Sequence, residues 1–127
     1  IAIKIGADVP FFVYEYDSAN VTGIGEIVEK FDEEMLNIDT ITPNIKCNTG
    51  EIFKVFRENF YKQISKNEAD KLFKTKSIEI LNNLNINEAN DLYEPAISVY
   101  PKLEEYAQNS WFFSGSGSSF FKVNNVK

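Results

Sequence analysis

Six small residues, Ser114-Gly115-Ser116-Gly117-Ser118-Ser119, sit between Trp111-Phe112-Phe113 and Phe120-Phe121-Lys122-Val123, and this arrangement constrains the fold more than any other. A Gly/Ser tract between separable pieces reads as a linker. Here both flanks are aromatic and belong in a core, so the tract reads as a structured turn between two strands. Glycines at 115 and 117 let the backbone approach a ligand closely, and successive N–H groups can line a nest for an anion. The rest of the composition supports a folded core: eleven Phe, six Tyr and one Trp among 127 residues, 43% hydrophobic and 25% charged, the profile of one globular domain.

Charge and missing residue types remove whole classes of chemistry. Nineteen acids against thirteen bases give a net charge of −6, the wrong balance for a nucleic-acid backbone binder. There is no His, so Ser-His-Asp hydrolysis, Cys-His proteolysis and His-ligated zinc are excluded for this polypeptide. The single Cys, Cys47, permits no intrachain disulfide and reads as a reduced thiol rather than a catalytic one. No metal site is expected from the residues, and the run Asp32-Glu33-Glu34 reads as a solvated turn. No apolar run approaches the length of a membrane-spanning helix, so the expected compartment is the cytoplasm. The chain starts at Ile1 within Ile-Ala-Ile-Lys-Ile-Gly, which reads as the tail of an element and raises the expectation of a fragment of a longer protein.

Periodicity and breakers give the element order. Asp8 with Pro10 two positions on is a helix-start signal. Ala19 to Thr22 and Glu26 to Phe31 flank Gly23-Ile24-Gly25 as a hairpin. Met35 to Thr42 alternates as a half-buried strand ending before Pro43. Asn48-Thr49-Gly50-Glu51 has capping-box spacing for a helix carrying Ile52, Phe53, Phe56, Phe60 and Ile64 on one face. Helices are expected over about 68–84 and 91–108, with Pro101 kinking or splitting the second. The predicted class is α+β, a mainly antiparallel sheet backed by helices.

Asp8, in Gly6-Ala7-Asp8-Val9-Pro10-Phe11-Phe12, is either a helix cap or a carboxylate held for proton transfer, and on local physics alone the cap is the better reading. Asn90-Asp91-Leu92-Tyr93-Glu94-Pro95 reads locally as a capped helix start. These two motifs, with Gly23-Ile24-Gly25-Glu26 between them and Tyr100-Pro101 and Ser114-Gly115-Ser116-Gly117-Ser118 after them, occur in the order found in the GHMP kinase superfamily. The chain resembles the later half of that family's sequences, over nearly all of its residues. Within the superfamily the likeness is to the kinases that phosphorylate the 2-hydroxyl of 4-diphosphocytidyl-2-C-methyl-D-erythritol in non-mevalonate isoprenoid synthesis.

The resemblance implies the following. ATP with Mg²⁺ is the phosphoryl source, Asp8 falls at the catalytic aspartate, and Gly115, Ser116 and Gly117 shape the site beside the phosphates and substrate. Phe53 falls near an aromatic that stacks on the cytosine ring, and Thr49 helps line that pocket. The fold implied is a ferredoxin-like C-terminal domain with a four-stranded sheet over 32–127, preceded by a remnant of the N-terminal domain over 1–31. In isolation that remnant is expected to pair differently, or to swap between chains as a homodimer. The family's main phosphate-cradling loop, the lysine partnering the aspartate, and the His and aromatic beside the cytidine lie upstream of Asp8, so this piece alone is expected to be inactive or nearly so. A helix after the last strand, expected in many relatives, is also missing before Lys127. Partners are then the small-molecule substrate and ATP, with neither nucleic acid nor membrane. Another GHMP kinase, acting on mevalonate, phosphomevalonate or homoserine, is the alternative enzyme. A non-catalytic α+β binding domain is the alternative of another class.

Overall fold

Strand β5 (Phe120–Val123) is the centre of the larger sheet. Strands β3 (Ile38–Ile41) and β4 (Phe112–Phe113) flank it, both antiparallel, in the order β3-β5-β4. Its register pairs Phe113 with Phe120 and Ile41 with Phe120 on opposite edges. The computed structural model describes residues 7–108 and 110–124. Residues 1–6, read from sequence as the tail of an element, lie outside the described residues. The chain divides into two compact units, Ile1–Met35 and Leu36–Lys127.

The first unit holds helix α1 (Val9–Tyr14) and the hairpin of β1 (Ala19–Thr22) and β2 (Ile27–Lys30), whose register runs from Ala19↔Lys30 to Thr22↔Ile27. Pro10 in the first turn of α1 is buried, where its missing N–H costs no helical bond.

In the second unit, β3 is followed by α2 (Thr49–Val55), a single π-helical turn (Phe56–Phe60), α3 (Lys66–Lys74), α4 (Ser77–Asn83), α5 (Ile86–Ala89), α6 (Tyr93–Val99) and a 3₁₀ helix (Pro101–Tyr106) before β4. Its core is small and aromatic: Ile52, Tyr93, Ala96, Leu103, Phe113 and Phe120. Edge-to-face contacts at 5.6 Å between Tyr93 and Phe113, and at 5.2 Å between Phe113 and Phe120, tie α6 to the sheet. The α+β class with antiparallel pairing is as read from sequence. Among the described residues the larger sheet has three strands where the resemblance implies four.

Two local expectations are corrected, and a third, the break at Pro101, is met. The helix over 68–84 is two helices, because Thr75 leaves helical geometry and turns its hydroxyl back to the Lys71 carbonyl at 2.6 Å. Pro101 does split the third stretch, with α6 ending at Val99 and the 3₁₀ helix starting at the proline. The expected apolar face of α2 is narrower than its spacing suggests. Ile52 is fully buried, but Phe53 is 40% exposed and the π turn rotates the residues after Val55 off the helical register.

Candidate functional site

In the first unit the site residue is Asp8. It occupies the N-cap of α1, yet its side chain accepts no capping hydrogen bond. The cause is backbone geometry: at φ −88° and ψ −10° Asp8 is already helical, whereas a capping side chain needs an extended backbone to swing over the free amides. The carboxylate is exposed and lines an open depression of about 340 Å³ with Phe11, Phe12 and Val21. The segment bearing Asp8 lies on the hairpin turn. Gly25, at φ +110°, has no Cβ where one would run into the Ala7 carbonyl, so only glycine lets the backbone of the first motif pass this close. The turn is closed by Glu26, whose Oε1 accepts the Ile24 N–H at 2.8 Å.

In the second unit the glycine turn is built, not slack. The Ser114 N–H donates to the Ser119 carbonyl at 2.9 Å and the Gly117 N–H to the Ser114 carbonyl at 3.0 Å. Gly115 and Gly117 have φ of +56° and +95°, the left-handed region in which a side chain is strained. A Cβ on Gly115 would meet nothing within 4 Å. One on Gly117 would sit 2.5 Å from Phe113 Cζ and 3.1 Å from Cys47 Sγ. Gly117 therefore presses its backbone on the core, while Gly115 faces open space. Ser118 Oγ donates to the Pro43 carbonyl at 2.9 Å, and Ser119 Oγ meets Thr42 Oγ1 at 2.7 Å. Both anchor the turn to the end of β3.

Thr49 opens α2 beside this turn. Its Oγ1 shares a 2.9 Å hydrogen bond with Ser116 Oγ. Asn48 caps the helix, its Oδ1 accepting the Glu51 N–H at 2.9 Å. Phe53 is one turn further on, and residues four apart share a helical face. The structure thus brings Thr49, Gly115, Ser116 and Gly117 together and leaves Phe53 partly exposed on the same helix. Asp8 belongs to the other unit. Burial pushes the Cys47 thiol above its ordinary value of 9.0, which keeps it protonated at neutral pH and matches the reading of an unreactive cysteine. Among the described residues no three ligating side chains converge on a metal site, and no helix is long and apolar enough to cross a membrane.

Two residues were missed by the sequence reading. Local spacing makes Asn90 a cap, and its Oδ1 does accept the Leu92 N–H at 2.9 Å. Its Nδ2, however, reaches 23 and 25 residues ahead to the carbonyls of Phe113 and Gly115, at 3.0 and 2.9 Å. Tyr100 stands beside Pro101 in its motif. Its hydroxyl accepts the Asn48 N–H at 3.0 Å and donates to Glu51 Oε1 at 3.2 Å, tying the end of α6 to the start of α2. Neither long-range partner follows from helical or strand periodicity. The only signal in the sequence was that Asn and Tyr stood next to motif residues.

No protein-family model matches the chain. A protein named 4-diphosphocytidyl-2-C-methyl-D-erythritol kinase from Sulfurimonas denitrificans is 47% identical over 123 residues, 97% of this chain and 46% of the relative. Proteins of the same name from Campylobacter jejuni subsp. doylei and Helicobacter pylori are 40% and 38% identical, each over 97% of this chain. The chain is a homologue of these kinases. It spans about half the length of the curated relatives it matches. A solved structure titled "Crystal structure of 4-(cytidine 5'-diphospho)-2C-methyl-D-erythritol kinase" superposes with a TM-score of 0.63 at 24% identity, over 95% of this chain and 45% of that one. At that identity the likeness speaks to the fold. The kinase resemblance read from the ordered motifs is borne out, and so is the α+β class. In this homologue of the kinases the motifs meet in pairs. The Asp8 segment packs on Gly25 in the first unit, and Asn90 bonds the glycine turn in the second.

Proposed function

We propose that the chain contributes to an ATP-dependent kinase that phosphorylates the 2-hydroxyl of 4-diphosphocytidyl-2-C-methyl-D-erythritol. In this reading 1–31 belong to its N-terminal domain and 32–127 form its C-terminal domain. The observation that carries the reading is 47% identity, across 97% of the chain, to a protein bearing that kinase's name. ATP and Mg²⁺ are the cofactors it implies. The described residues build no cluster of three metal ligands.

Phosphoryl transfer asks a protein mainly for positioning and charge stabilisation. Asp8 is the base. As the substrate oxygen forms its bond to phosphorus and the bond to the leaving diphosphate breaks, the hydroxyl proton passes to the Asp8 carboxylate. Its exposure and its lack of a capping bond support the role, because an uncommitted carboxylate is available to a substrate hydroxyl. Gly115, Ser116 and Gly117 form the bend against which phosphate and substrate rest. The Gly117 amide is already bonded to Ser114, which leaves the Gly115 and Ser116 amides as the donors to an anion. Thr49 lines the cytidine pocket through its link to Ser116, and the partly exposed Phe53 stacks on the base.

The test is a panel assay of the full-length protein with ATP and four alcohols: the cytidylyl diphosphate of methylerythritol, mevalonate, phosphomevalonate and homoserine. Phosphorus NMR should find a new phosphomonoester with the first, and neither a new phosphomonoester nor a new diphosphate with the others. Transfer to one of the others alone assigns a different kinase, and transfer to none rejects the reading.

A further inference from the structure

The side chain of Asn90 makes three hydrogen bonds, and all three bear on the glycine turn or on the element that carries Asn90 itself. Nδ2 donates to the carbonyls of Phe113, at the end of β4, and of Gly115, inside the turn, while Oδ1 accepts the Leu92 N–H. The two carbonyls require the amide nitrogen and the backbone N–H requires the amide oxygen, so no other orientation satisfies all three. One planar group thus fixes the entry of the turn relative to the start of α6. We propose that Asn90 is a positioning residue of the kinase site, holding Gly115 and Ser116 in the conformation that receives the phosphate-bearing substrates. The inference rests on the kinase reading. It adds a residue that acts through the turn without touching substrate.

The physical consequence is a population effect. If the turn is released, only a fraction of molecules holds the binding conformation, and apparent affinity falls by that fraction while the saturated rate is kept. Asn90→Asp preserves the acceptor for Leu92 but sets carboxylate oxygens against two carbonyls. Asn90→Ala removes all three bonds. In the full-length protein both should raise KM for at least one co-substrate about five- to thirtyfold, as expected for two lost hydrogen bonds, with kcat held within about twofold. Amide signals of 115–118 should shift and exchange faster, with those of β1, β2 and α3 unmoved. A merely structural residue would lower the folded fraction, which cuts apparent kcat and leaves KM alone. KM does not depend on how much enzyme is folded, so poor folding of one variant does not spoil the reading. An unchanged KM, or unmoved turn amides, would overturn the proposal. Absence of transfer by the unaltered protein would instead sink the kinase reading and the positioning role with it. In that case the amide signals would still report whether Asn90 holds the turn.

Discussion

At the scale of single residues, the two glycines of the turn carry different physical demands. Gly115→Ala meets only backbone strain, about 1–2 kcal/mol for a left-handed L-residue, since its Cβ enters open space. Gly117→Ala adds a collision with Phe113, which is 3% exposed and cannot withdraw. It should cost about 1–3 kcal/mol more. Urea unfolding of the two variants gives the comparison, and equal losses would deny that Gly117 rests on the core. Phe53 makes the opposite prediction. At 40% exposure its truncation to Ala should cost under about 1 kcal/mol of stability, yet weaken substrate binding by the roughly 1–3 kcal/mol of one stacked base. Titration with the cytidine substrate separates these, and a stability loss with unchanged affinity would return Phe53 to the core. Its spacing alone assigned it to the core face, because a helical period places 52 and 53 almost equally well and only the packed structure tells them apart.

Between neighbouring elements, α2 is started by Asn48 and held by Tyr100. Asn48 and Glu51 were legible from their spacing, and the cap is present. The bond from the Asn48 N–H to Tyr100 was not, since its partner lies 52 residues away. Tyr100→Phe removes an acceptor and a donor while keeping the ring, and should lower the unfolding free energy by about 1 kcal/mol, measured by chemical denaturation. No change would mean that water replaces the phenol at no cost. The stretch over 68–84 shows why the sequence reading partly failed. Ser65-Lys66-Asn67-Glu68 and Asn85-Ile86-Asn87-Glu88 both carry capping-box spacing and both form reciprocal caps, so the starts of α3 and α5 were available to a closer reading. The break at Thr75 was not, because no Gly or Pro marks it. It comes from a hydroxyl competing for the Lys71 carbonyl, a preference too weak to outweigh the apolar period in a one-dimensional reading.

For the whole molecule, the aromatic core sets the response to alkali. Burial, and then the charge of Glu104, push the Tyr93 phenol above 10.0, and burial pushes the Cys47 thiol above 9.0. In both groups the folded state favours the neutral, protonated form and so holds its proton more tightly than the unfolded chain. Their contribution is therefore complete below the unfolded values and is lost as pH rises through the folded ones. Thermal unfolding should move to lower temperature as pH climbs from about 9 past about 10, the unfolded values of the thiol and the phenol, and Tyr93→Phe should reduce the part of the fall above about pH 10. A midpoint that stays flat across that range would contradict the burial described. The class of fold was legible because aromatic strands, glycine turns and helical periods agree. The kinase reading was legible because several short motifs keep one order, although each alone is weak. The pairing of those motifs, Asp8 with Gly25 and Asn90 with Gly115, needed coordinates. The decisive measurement is the rate of phosphate transfer to 4-diphosphocytidyl-2-C-methyl-D-erythritol by the full-length protein before and after Asp8→Asn. With Asp8 as the base, the rate should fall about 10²- to 10⁴-fold with unaltered melting. A variant that turns over as fast as the parent would contradict that role.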